Sequence, residues 1–183
     1  RRAGHGPGDI TGARTEIERV KDTGAVRTSI QLAYRGKPVV TVQVEVAAVE
    51  VSMGDNIDWV PAKPLDHVGL DGPETVACVA LRWQIAQKLH ACTETVPERG
   101  NDRFRDLLDL QLLRDLLGDE DWADVRAACV AVFEVRGKHA WPPPVTVFES
   151  WDTGYRSLAE QTRFSVLEVA GAAEAVRPLS GRI

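Results

Sequence analysis

Three groups of side chains have the types and spacing to handle a charged substrate. Lys88 and His90 lie together in QIAQKLHA, residues 84–91. Lys88 follows Ile85 by three residues, at the border of an apolar stripe. A lysine there can run its stem along the core and keep its head in water, or aim its ammonium at a phosphate. The second group is ERGNDRFRDLLDLQLL, residues 98–113. Asp106 and Asp109 are three apart and share one helix face. Asp102, Arg99, Arg103 and Arg105 sit close by. Carboxylates at a helix start are favoured by the helix dipole, and Arg105 with Asp109 has the spacing of an ordinary i,i+4 pair. Acid and base on one face beside a loop also describe a site that orients phosphates. The third is Glu45, on the polar face of an alternating segment. A strand-borne carboxylate can bind Mg²⁺; a solvated strand face explains it equally simply. His90 fits a packing or surface role, and Asp119-Glu120-Asp121 reads as a loop and cap.

These groups need elements to hold them. Val26–Tyr34 and Val39–Val46 alternate apolar and polar with period two, and Arg35–Pro38 links them through glycine and proline, so a β-hairpin is expected. Residues 1–14 carry four glycines and a proline and read as a flexible start. Thr15–Lys21 is ambiguous. Residues 52–75 read as a long irregular crossing segment with one short extended piece. After Pro73 the pattern turns helical. Leu81, Ile85, Leu89 and Cys92 make one stripe over Leu81–Thr93. Asn101 or Asp102 would cap a helix over Arg103–Leu117, with Gly118 as its stop. Asp121 would cap Trp122 to about Val135, Ser150 would cap Trp151–Gln161, and a last helix covers about 165–176.

The expected class is α+β: a sheet region over residues 1–75 and a helical region over 76–183. Two strands make no stable sheet alone, so the hairpin is expected to join strands outside this chain or to form a small sheet packed on helices.

Composition narrows the field. The chain has 183 residues, 44% hydrophobic and 27% charged, which suits one globular domain, or one domain with a small appendage. No run of 18 apolar residues occurs, so no membrane span is expected. The net charge of −5 argues against holding nucleic acid through a global positive field. Three cysteines without C-x-x-C spacing support neither a disulfide framework nor a zinc site, and fit a reducing, cytoplasmic setting. The first residue is Arg1, not methionine.

The stretch QIAQKLHACTETVPERGNDRFRDLLDLQLL resembles the AbiEii/AbiGii family of nucleotidyltransferase toxins, the toxic halves of type IV toxin–antitoxin and abortive-infection systems. That family has A-E-K-L-x-A on one helix and R-x-[KR]-D-x-x-D-L on the next. Gln87-Lys88-Leu89-His90-Ala91 matches the first part, with Gln87 in place of the usual Glu. Arg103-Phe104-Arg105-Asp106-Leu107-Leu108-Asp109-Leu110 matches the second. Val42–Val46 looks like the family's acid-bearing strand. Pro144 through Trp151 and Tyr155 resembles its W-x-x-x-Y-x-x-L tail. The likeness spans about residues 26–160.

The resemblance implies a fold similar to the DNA polymerase beta-like nucleotidyltransferases, a partial mixed sheet followed by a helical bundle. It implies transfer of a nucleotide from an NTP to an acceptor, for some members the 3′ end of tRNA, by in-line displacement at the α-phosphorus with Mg²⁺. Glu45 would correspond to the third, strand-borne metal carboxylate. Lys88 would hold triphosphate oxygens, and Asp109 would be the helix-borne acid, with Arg103 and Asp106 supporting it. A cognate antitoxin is an implied partner. One departure stands out. The family's Gly-Gly or Gly-Ser turn and its Asp-x-Asp strand have no counterpart before Val26 or in the first half of the chain. This chain is therefore expected to be a fragment or remnant that transfers little or no nucleotide alone; the alternative is a non-catalytic module binding nucleotide or antitoxin.

Overall fold

The computed structural model describes residues 9–20, 24–47, 57–68, 71–95 and 100–181. Among these described residues six strands come first: β1 Ile10–Arg14, β2 Glu18–Arg19, β3 Val26–Tyr34, β4 Lys37–Val46, β5 Ile57–Pro61 and β6 Thr75–Val79. Six helices follow: α1 Leu81–Thr93, α2 Phe104–Arg114, α3 Trp122–Arg136, α4 Trp151–Thr162, α5 Val169–Val176 and the short α6 Pro178–Gly181. The chain divides into two compact units, Arg1–Glu50 with Pro61–Val76, and Val51–Val60 with Ala77–Ile183.

The first unit is organised on β3. β4 pairs antiparallel along its length, with Ile30 opposite Val42 and Leu32 opposite Val40. Those apolar cross-strand pairs are what the period-two pattern was built to make. Arg35 and Gly36 both have positive φ, 47° and 75°. Two such residues in the loop match the right-handed strand twist. Arg35 is held there by Asp9, whose carbonyl accepts its N–H at 2.8 Å and whose carboxylate takes its Nε at 3.1 Å.

The expected flexible start is corrected over residues 10–14. β1 pairs antiparallel with Ile30–Tyr34, and β2 with Val26–Arg27. A strand has two edges and β4 occupies one, so β1 and β2 follow each other along the second. Thr15 bridges the gap between them. Its N–H donates to the Ser29 carbonyl at 2.9 Å, and its carbonyl accepts the Thr28 hydroxyl at 3.0 Å. Gly12 lies beside Leu32 and Ile30, where an added Cβ would be in ordinary contact at 3.5 and 3.6 Å. The hairpin thus finds its partner strands within this chain, in a four-stranded sheet whose pairings are all antiparallel.

β5 and β6 pair in a second, two-stranded sheet. β6 corrects the expectation of helix directly after Pro73: TVACV favours a strand, and helix begins only at Leu81.

The second unit holds the core. Ile85 and Leu89 of α1, Leu107 and Leu110 of α2, Val125 of α3 and Tyr155 of α4 are all fully buried. Each such aliphatic side chain contributes about 1.5–3 kcal/mol relative to exposure. α1 packs on α3 and α2, and α2 packs on α4 and α5. Gly154 permits the α2–α4 approach: a Cβ there would sit 2.8 Å from the Phe104 ring. α1 has the bounds the stripe predicts. α2 is shorter than Arg103–Leu117, and α5 starts four residues later than expected. No described helix is long and apolar enough to cross a membrane.

Candidate active site

Lys88 leaves α1 at the edge of its buried stripe, with its side chain 28% exposed. Its neighbours Ile85, Ala86 and Leu89 are fully buried. The stem runs along the core edge, as the first of the two readings expects, and the head meets two carboxylates. Nζ donates to Asp109 Oδ2 at 2.5 Å and to Asp106 Oδ1 at 3.1 Å. The other Asp106 oxygen accepts Arg103 Nε at 2.7 Å. The i,i+3 spacing of Asp106 and Asp109 puts both carboxylates on the α2 face that meets α1.

The result is an alternating chain, Arg103–Asp106–Lys88–Asp109, with no net charge. The two acids differ. Asp106 has a side chain only 6% exposed and is held by two cations, whereas Asp109 is 43% exposed and held by one. Burial works against the Lys88 ammonium, but the bonds to Asp109 and Asp106 together outweigh it, so Lys88 titrates above its ordinary value. Lys88 is therefore fully charged at neutral pH. Nearby, burial pushes the Cys92 thiol up to about 12, with the Asp106 charge adding to the effect. That thiol is no nucleophile.

Spacing allowed an Arg105–Asp109 pair, but the structure gives the two residues other contacts. Asp109 turns to Lys88, and Arg105 lies over the Phe104 ring, 5.8 Å from its centroid. His90 takes the packing role: it is buried, with its ring 4.8 Å from Phe133 and 4.6 Å from His139. Arg99 lies outside the described residues. A cavity of about 640 Å³ opens beside the network at its Arg103 end, where Asp102, Asn101 and Arg136 also line it.

Glu45 sits in the other compact unit. It lies directly across from Arg27 in the β3–β4 ladder, and Arg27 Nη2 approaches its Oε1 at 2.5 Å. Both side chains are more than a third exposed. The strand-face explanation accounts for this contact. Among the described residues no group of three or more His, Cys, Asp or Glu side chains could hold a metal ion. Glu45, Asp106 and Asp109 each already face a cation, so these carboxylates do not by themselves fit a magnesium site.

The tail residues secure α2 from behind. Tyr155, four residues after Trp151 on α4, accepts Gln111 Nε2 at 3.0 Å and donates to the Val166 carbonyl at 3.1 Å. Trp151 Nε1 donates to the Asn101 carbonyl. The W-x-x-x-Y spacing was visible in the sequence; its partners Gln111 and Asn101 were not, since only the packed helices bring them together.

The mixed α+β architecture is consistent with a nucleotidyltransferase-like fold. The family model for the AbiEii nucleotidyl transferase toxin of type IV toxin–antitoxin systems matches residues 2–174, and the chain belongs to that family. The match takes in β1 and β2, upstream of the motifs that carry the resemblance. No curated protein matches the chain.

Proposed function

We propose that this chain binds a nucleoside triphosphate through Lys88, in the manner of a nucleotidyltransferase whose acceptor is an RNA such as tRNA. The observation that supports this reading is the unequal pair of acids on one ammonium. A triphosphate brings several negative charges to Lys88 and competes with Asp109, the exposed and singly held acid. Asp106, buried and held from both sides, stays in place and keeps Lys88 and Arg103 aimed. The lysine then exchanges one carboxylate for phosphate oxygens without losing its orientation, which lowers the ordering cost of binding. An ammonium used this way acts as a point charge on phosphate.

Transfer itself needs more than these residues. A magnesium site would require carboxylates beyond Glu45, Asp106 and Asp109, all of which face cations here. We therefore propose that the chain on its own transfers little or no nucleotide, and that an antitoxin is its protein partner. Three free thiols, Cys78, Cys92 and Cys129, fit a reducing cytoplasm.

The test has two arms. In thermal-shift titrations with each of the four NTPs, at least one is expected to raise the melting temperature, and Lys88→Ala is expected to abolish the shift. With Mg²⁺, labelled NTPs and total tRNA, the expected result is no label on RNA. Robust labelling contradicts the second statement; no shift with any NTP contradicts the first.

A further inference from the structure

We infer that Asn101, gripped by Trp151, is the positioning residue that holds Lys88 against Asp106 and Asp109. This rests on the reading of Lys88 as the phosphate anchor, and adds which part of the chain fixes its geometry. Asn101 is only 3% exposed, yet both polar atoms of its side chain are engaged. Nδ2 donates to the carbonyls of Ala91 at 3.0 Å, Cys92 at 3.3 Å and Glu94 at 2.7 Å. Ala91 and Cys92 lie in the last turn of α1, where carbonyls have no partner inside the helix. Oδ1 accepts the Arg103 N–H at 2.8 Å, just before α2 begins. The main-chain carbonyl of Asn101 accepts Trp151 Nε1 at the start of α4. One residue thus joins the end of α1, the start of α2 and the start of α4.

The residue type follows from the chemistry. A donor and an acceptor are needed on one short planar group, and asparagine supplies both. Aspartate keeps the acceptor for Arg103 but sets a carboxylate against three carbonyl oxygens. The sequence allowed Asn101 only as a helix cap. The structure makes Arg103 the cap position, with no side-chain capping bond, and gives the Asn101 side chain chiefly to the preceding helix.

The leverage is short. Lys88 is three residues before Ala91, about 4.5 Å along the axis. Asp106 lies five residues after Asn101. A small slip between the end of α1 and the start of α2 moves the ammonium relative to both acids. Trp151 is buried, and its Nε1 holds the Asn101 carbonyl.

The experiment compares wild type with Trp151→Phe, which keeps ring packing but removes the Nε1 donor, and with Asn101→Asp. Carbon-13 labelling at lysine Cε gives five lysine signals, with Lys88 assigned from Lys88→Gln. Three readouts are taken: melting temperature, the alkaline titration midpoint of Lys88, and ATP affinity by calorimetry. In folded variants the Lys88 midpoint is expected to fall back toward 10.5, and ATP affinity to drop at least about fivefold. A lower melting temperature with an unchanged Lys88 midpoint overturns the inference and leaves Asn101 a stabiliser of the fold alone. Trp151→Phe carries the test if Asn101→Asp does not fold. If wild type binds none of ATP, GTP, CTP and UTP, the phosphate-anchor reading fails, while the Lys88 midpoint still decides the role of Asn101; if it binds another of the four better than ATP, affinity is read with that one.

Discussion

Two of the molecule's ion-paired sites lie in different surroundings. Arg27 and Glu45 face each other across an exposed hairpin, both more than a third exposed. Lys88, Asp106 and Arg103 meet at a helix crossing where Asp106 is almost fully buried. Exposed pairs contribute about 0–1 kcal/mol, because water and salt screen them. A buried carboxylate instead binds its cations firmly and leaves them uncompensated when it is removed. The same contrast runs through the two units. The helical unit buries nearly all the large apolar side chains of the core, whereas every residue of β1 and β2 is exposed. Burial of one acid, rather than the presence of charged pairs, separates the candidate site from an ordinary surface contact.

Four substitutions or conditions probe that contrast. Asp106→Ala should have the largest effect, lowering unfolding free energy by about 2–3 kcal/mol in urea titration followed by tryptophan fluorescence. A loss below about 1 kcal/mol would make the network no different from the hairpin pair. Gly154→Ala drives a methyl into the Phe104 ring and should cost about 1–3 kcal/mol, showing that α4 holds α2 under the acids; a neutral result means the ring moves freely. Tyr155→Phe removes the hydroxyl that joins Gln111 to Val166 and should cost about 1 kcal/mol. Glu45→Ala should change stability by less than about 1 kcal/mol, with the difference vanishing at high salt.

The alkaline limb sharpens the comparison without mutating the acids. Lys88 is raised above its ordinary 10.5 by two carboxylates. Its contribution is fully present below pH 10.5 and is lost as pH rises through the higher folded value. The stability gap between wild type and Lys88→Met should therefore narrow in that window. A gap constant from pH 9 to pH 12 would show that the ammonium gains nothing from Asp106 and Asp109.

Much of this was legible in the residue order where one helix carries its own stripe. Leu81, Ile85, Leu89 and Cys92 fixed α1 to the residue, and i,i+3 spacing put Asp106 and Asp109 on one face. Period two gave the hairpin. What spacing could not supply was the choice among partners. Asp109 could have met Arg105 on its own helix, and only the packing of α1 against α2 brings Lys88 closer. β1 was hidden because Gly12 lowers strand propensity. Asn101 looked like a cap because local sequence cannot show that three carbonyls at and just beyond the end of the previous helix point at it.

The most direct test of the account is calorimetric titration of ATP, GTP, CTP and UTP into wild type and Lys88→Gln, each confirmed folded by circular dichroism. The account predicts measurable binding of at least one triphosphate by wild type, weakened at least about tenfold, or roughly 1.4 kcal/mol, in the variant. Equal affinity in the two proteins would show that Lys88 serves only its carboxylates.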